Sequence, residues 1–172
     1  MLFELDACTG FGQFLFYDWR RDSEFVLSQP RFQGASVLVT GRNFGCGSSR
    51  EHAVWALADF GIRAVIAPSF SDIFSSNCAK NGFLAVRLRE DEVATLLGRA
   101  DQTPGYELTV DLENNAVTDD QSFRGAFEMD AFARHCLLNG LDDIGLTLQH
   151  APEIAVYESS HPVPAEFQSL KP

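Results

Sequence analysis

The apolar positions of this chain follow two rhythms, and the change between them divides it. Through residues 36–88, short continuous apolar runs alternate with stretches of helical spacing. Ser36-Val37-Leu38-Val39-Thr40, Arg63-Ala64-Val65-Ile66-Ala67 and Phe83-Leu84-Ala85-Val86-Arg87-Leu88 have the length and composition of buried strands. Between the first two, residues 51–60 put Val54, Trp55, Leu57 and Ala58 on one helical face, and Gly61 follows as a C-cap. Between the second and third, Ser69 and Asp72 introduce a second helix with Phe70, Ile73 and Phe74 as its apolar face, ending near Gly82. Strand, helix and strand in this order predict parallel βαβ units with right-handed crossovers. Residues 90–99 follow as a third, more exposed helix.

From Tyr106 strict alternation takes over. Tyr106, Leu108, Val110 and Leu112 share one face, Glu113-Asn114-Asn115 reads as a turn, and residues 117–127 return as the second arm of an antiparallel hairpin. Helices over 130–138 and 141–148 are separated by Asn139-Gly140, a helix stop. The pattern predicts an α/β domain over 1–158, a central βαβ with an antiparallel hairpin and C-terminal helices, and a peripheral tail over 159–172 punctuated by Pro162, Pro164 and Pro172. Residues 1–34 lack periodicity but interleave Phe11, Phe14, Phe16, Tyr17, Trp19 and Phe25 with glycines, as a packed segment or an interface would.

Charge narrows the function. The 13 Lys+Arg against 24 Asp+Glu give a net charge of −11, which argues against nucleic acid or an anionic membrane as the partner, since either needs a basic surface. No apolar stretch approaches the roughly 18 residues of a membrane span. No charged-then-apolar leader opens the sequence, so a cytoplasmic protein is expected. Cys8, Cys46, Cys78 and Cys136 are scattered, without the spacing of a zinc site or a disulfide framework, and His52, His135, His150 and His161 are equally dispersed. Free thiols and no metal or cofactor held by this chain are the expectation.

The candidate chemistry lies in Gly41-Arg42-Asn43-Phe44-Gly45-Cys46-Gly47-Ser48-Ser49-Arg50, between the first strand and the first helix. Glycines let the backbone turn tightly with N–H groups inward, and the helix adds the positive end of its dipole, so the loop suits an anion. It lacks the lysine of a P-loop and the glycine spacing of a dinucleotide fold, which points away from nucleotides. A structural reading competes: Ser48 followed three residues later by Glu51 fits a capping box. Cys46 sits where a thiolate would be favoured, but no histidine base adjoins it in sequence, and packing of a small side chain is expected.

Taken together, Gly45 to Ala53, residues 63–67, Phe70, Asp72-Ile73-Phe74, Asn77 and Lys80-Asn81-Gly82-Phe83-Leu84 resemble the swivelling domain of the aconitase superfamily. Gly10-Phe11-Gly12, Leu15-Phe16-Tyr17-Asp18-Trp19-Arg20 and Leu141-Asp142-Asp143-Ile144-Gly145-Leu146-Thr147-Leu148 narrow the resemblance to the small subunits of bacterial 3-isopropylmalate dehydratase. The resemblance runs from about Thr9 to about Tyr157. One departure is that Met1 to Cys8 stands where the family has alternating aspartates and an Ile-Pro pair, so a sheet without its first strand is expected.

The resemblance implies a compact three-layer β/β/α swivelling domain. It also implies a hydro-lyase reaction of leucine biosynthesis, in which a hydroxyl moves between adjacent carbons of isopropylmalate through an alkene. The family works with a large subunit that holds a [4Fe-4S] cluster, and by similarity the small subunit closes over the substrate. By position in the motif, Ser48 would be the catalytic base, Ser49 and Arg50 would support the substrate carboxylate or the alkoxide, and Gly45 and Gly47 would shape the backbone around the substrate. The alternatives are the small subunit of a homoaconitase or of a methylmaleate hydratase, or a non-catalytic anion-binding assembly module.

Overall fold

A computed structural model describes residues 10–47 and 50–161 of the chain. Its middle strand is β2 (Ala64–Ala67), all four residues of which are buried; it pairs in parallel with β1 (Val37–Val39) on one side and β3 (Leu84–Arg87) on the other. Because successive strand residues face opposite ways, β2 feeds two cores. Val65 and Ala67 pack with Val54 and Leu57 of α1 (Glu51–Phe60) and with Phe74 and Cys78 of α2 (Asp72–Lys80). Ile66 packs, with Val86 of β3, against Val93 and Leu96 of α3 (Glu90–Gln102) and against Val117 and Phe127. Val117 belongs to a second, antiparallel sheet of β4 (Thr109–Asp111), β5 (Ala116–Thr118) and β6 (Arg124–Ala126). Helix pair, parallel sheet and antiparallel sheet are the three layers expected from the resemblance.

Three local expectations are corrected. The N-cap of α2 is Ser71, whose Oγ accepts from Phe74 N at 3.2 Å, and not Ser69, whose Oγ is held 2.8 Å from Asn43 N. Phe70 therefore precedes the helix, in an isolated parallel bridge with Phe44, and Ile73 faces solvent. Residues 117–127 are two strands, because the Asp119 carboxylate accepts from the N–H groups of Gln121 at 2.8 Å and Phe123 at 2.7 Å and turns the chain between β5 and β6. After α4 (Ala131–Asn139) and α5 (Asp143–Leu148), the sequence pattern indicates no further helix, yet α6 (Ala151–Ser160) follows, with a proline in its first turn.

The aromatic segment before β1 consists of 3-10 turns at Gly12–Phe14, Trp19–Arg21, Val26–Ser28 and Pro30–Phe32. It is fastened to the end of α1 by one carboxylate: Asp59 Oδ2 accepts from Gly10 N at 2.9 Å and Gly12 N at 2.7 Å. The approach at Gly12 admits no side chain, since a Cβ there would lie 2.8 Å from Phe60 N. Arg20 completes the fastening, donating to Gly12 O at 3.0 Å with its guanidinium over the Phe60 ring.

Candidate functional site

The glycine loop leaves the carboxyl end of β1, the edge where open parallel sheets place ligand sites. Its first half is stitched to the connection between β2 and α2. Asn43, in the left-handed region at φ 58°, donates its N–H to Ser69 Oγ and accepts from that hydroxyl at 3.2 Å. Phe44 N donates to Ser69 O at 3.1 Å, and Ser71 N donates to Phe44 O at 3.0 Å. The Phe44 ring then stands edge-on to Phe74, with centroids 5.2 Å apart. Gly45 follows at φ 77°, so close to Phe74 that a Cβ would lie 2.5 Å from the Phe74 Cβ and Cγ. Only glycine satisfies both the backbone and the contact. Gly47 is different: it is exposed, and a Cβ there would meet no described residue within 4 Å.

The second half overturns the capping-box reading. α1 starts at Glu51 with Arg50 as its N-cap and no side-chain cap hydrogen bond, which puts Glu51 at the first helical position and not the third. The Glu51 carboxylate accepts from Asn81 Nδ2 at 2.9 Å, while Asn81 Oδ1 accepts from Trp55 Nε1 at 2.7 Å. Asn81, the C-cap of α2, thereby ties both residues of α1 to the neighbouring helix. Ser48 and Ser49 lie outside the described residues.

Arg50 is exposed and makes no ion pair or side-chain hydrogen bond with a described residue. Arg42, in the same loop, is spent on Glu90, donating from Nε at 2.8 Å. Beside the loop is a cavity of about 410 Å³ whose lining is mostly apolar, including Phe11, Phe14, Phe44, Gly45, Gly47 and His52. The His52 ring is wedged edge-on between Phe11 at 5.2 Å and Trp55 at 4.7 Å.

The described cysteines do not suit a cluster. Cys46, Cys78 and Cys136 are free thiols on separate elements, and burial pushes Cys78 up to about 12, far from the thiolate that iron requires. Cys46 is exposed and not packed, contrary to expectation. Among the described residues, no group of three or more His, Cys, Asp or Glu comes together as a metal site would require. Nor is any described helix long and apolar enough to cross a membrane.

Of the residues expected at the site, Gly45, Gly47 and Arg50 lie on one loop running into α1. Sequence reasoning misses the residues that fix this loop from elsewhere, namely Ser69, Phe74 and Asn81, and the anchor Asp59. In the sequence Asp59 reads only as a polar break in an apolar stretch. An oppositely placed donor in the Gly10–Gly12 segment is the available signal, but it is 47 residues away along the chain.

A glycine turn entering a helix at the end of a parallel strand, on a β/β/α scaffold, is the arrangement that the resemblance to aconitase-type swivelling domains implies. The family model of the aconitase C-terminal domain matches residues 15–91, followed by LeuD_N over 94–131 and the C-terminal domain of the 3-isopropylmalate dehydratase small subunit over 143–163. A 3-isopropylmalate dehydratase small subunit of Acidobacterium capsulatum is 58% identical over 153 residues, covering 89% of this chain and 74% of the relative. The protein of the same name from Koribacter versatilis is 55% identical over 159 residues, covering 89% and 82%. Among solved structures, a 3-isopropylmalate dehydratase of Methanocaldococcus jannaschii superposes with a TM-score of 0.55 at 29% identity, covering 70% of this chain and 68% of that one. The chain belongs to the 3-isopropylmalate dehydratase small-subunit family.

Proposed function

We propose that the glycine loop is where this family member meets its substrate. As a 3-isopropylmalate dehydratase small subunit, the protein serves a hydro-lyase of leucine biosynthesis that interconverts 2-isopropylmalate and 3-isopropylmalate, and the complex with a large subunit is the catalytic unit. The partners are that large subunit and a small anion, not nucleic acid or membrane, and the setting is cytoplasmic. The [4Fe-4S] cluster is assigned to the large subunit, whose chemistry lies outside this chain.

The reaction removes a proton from carbon beside a carboxylate, which demands a strong base. Ser48 is assigned that role: its alkoxide accepts the proton, and N–H donors and positive charge must stabilise the alkoxide for it to exist at all. Ser49 and Arg50 hold a substrate carboxylate or support the alkoxide, while Gly45 and Gly47 shape the backbone around it. The observation that carries this reading is Arg50, a guanidinium with no ion-pair partner among the described residues. It stands at the N-cap of α1, where the helix dipole and its own charge favour the same anion. The apolar cavity beside the loop suits an alkyl branch better than the additional carboxylate of homoaconitate.

The test is turnover by the complex reconstituted with its large subunit, on isopropylmalate, homoaconitate and citraconate, for wild type and Arg50→Lys. Isopropylmalate should be preferred. Lysine keeps the charge but loses the planar fork, so kcat/KM should fall about tenfold or more with the melting curve unchanged. Preference for homoaconitate, or an indifferent Arg50→Lys, would defeat the reading.

A further inference from the structure

Helices α5 and α6 form an arm that the rest of the described chain does not cover. Every residue of α6 is exposed, and neither helix contains a buried residue. Ile144 and Leu148, four apart on one face of α5, are 67% and 62% exposed, and Val156 and Tyr157 of α6 are 69% and 63% exposed. The side-chain hydrogen bonds of Ser159 and Ser160 stay within the arm, to Val156 O, Tyr157 O and His161. A ten-residue helix with no packed face is marginal in water, because helices of this length draw their stability from tertiary contact. Four large apolar side chains held out on two such helices mark an interaction surface.

Charge selects the occupant. Residues 142–160 carry Asp142, Asp143, Glu153 and Glu158 and no lysine or arginine. A second copy of this chain, meeting the arm through a two-fold axis, would set these carboxylates against themselves. A chain with a net charge of −11 has little basic surface to offer the arm in any other arrangement. The occupant must instead present an apolar trough rimmed by lysine or arginine. We infer that the α5–α6 arm is a docking surface for the large subunit, with Ile144, Leu148, Val156 and Tyr157 entering such a trough and the exposed Asp143, Glu153 and Glu158 pairing with its rim, while Asp142 caps α5. The inference rests on the reading of this chain as one subunit of a two-subunit enzyme.

The test compares affinities of the full chain for the purified large subunit. The double variant Leu148→Asp/Val156→Asp should weaken binding at least tenfold, since buried anchors dominate interface energy. Glu153→Lys/Glu158→Lys, which leaves the apolar face intact, should weaken binding several-fold and reduce its salt dependence. Leu97→Asp on α3, also exposed, should bind as wild type. Melting curves and circular dichroism of each free variant should match wild type, because the substituted residues are exposed. If wild type itself fails to pair with the large subunit, the two-subunit reading fails. If wild type pairs and both arm variants pair equally well, the docking surface is wrong. Loss of self-association with large-subunit binding intact would assign the arm to a second copy and overturn the inference as well.

Discussion

The two sheets share a core but hold their connecting loops by opposite means. The glycine half of the loop after β1 is seated by packing and neutral hydrogen bonds, through the Phe44–Phe70 bridge, the Asn43–Ser69 pair and the seat of Gly45 on Phe74, with the exposed Arg42–Glu90 pair at its start. The turn between β5 and β6 is fixed by a single carboxylate. Asp119, its side chain fully buried, accepts from Tyr106 OH at 2.6 Å, from the N–H groups of Gln121 and Phe123, and from Arg99. Burial alone would raise the Asp119 carboxyl, but the Tyr106 hydroxyl, the Phe123 N–H and Arg99 outweigh it and hold it at about 2. Burial and the same carboxylate push Tyr106 above the ordinary phenol range. A loop locked by charge consumes that charge internally. The loop after β1 spends Arg42 on Glu90 but leaves Arg50 without an ion pair to a described residue, and Arg50 is the cation we propose for a ligand.

Breaking the packed lock should have the largest effect on stability. Gly45→Ala forces a side chain into the left-handed region, at about 1–2 kcal/mol, and into Phe74, at about 1–3 kcal/mol for overpacking. The expected loss is about 2–5 kcal/mol, read by denaturant unfolding, with turnover of the complex lost alongside. A variant that unfolds like wild type would mean that the loop is not seated on Phe74. Breaking the charged lock should separate stability from activity. Asp119→Asn leaves Arg99 and Tyr106 facing a neutral amide, so the melting midpoint should drop by several degrees while the folded complex turns over normally; a turnover loss without a melting shift would erase the contrast between the sheets.

The smallest effect is on pH dependence, and its sign follows from Asp119. The folded carboxyl lies at about 2, below the roughly 3.9 of an unfolded aspartate, so its contribution is complete above about pH 4 and is lost as pH falls toward 2. Wild type should therefore lose more stability than Asp119→Asn across that window, and the two slopes should coincide above about pH 5. Parallel slopes throughout would show that Asp119 is not held down in the native state.

The same contrast explains what could be read from the sequence. Parallel strands read as continuous apolar runs, so β1, β2 and β3 stand out in the sequence, although only β2 is buried along its whole length while β1 is half-buried and β3 buries Val86 alone, and the loop carries its own motif. The polar fastenings are less legible because their partners are distant or ambiguous. Ser69 with Asp72 fits a helix start as well as the true cap Ser71 does, and only the contact with Asn43 decides between them. Ser48 with Glu51 fits a capping box, but Asn81, thirty residues on, claims the glutamate instead. Asp119 sits inside what reads as one long strand, and nothing local announces that its carboxylate folds the chain back. α6 escapes because its apolar residues face outward, so no amphipathic stripe oriented to this chain's core marks it.

Proton transfer through Ser48, the role proposed for the loop after β1, is tested by steady-state turnover of Ser48→Ala reconstituted with the large subunit, alongside thermal melts. The helix frame starting at Glu51 removes the need for Ser48 as an N-cap. A catalytic Ser48 should leave the melting midpoint and the affinity for the large subunit unchanged and lower turnover by about two orders of magnitude or more, the scale of a positioned proton-transfer group. A variant destabilised by the roughly 0.5–2 kcal/mol of a lost cap, yet turning over normally once folded, would contradict it.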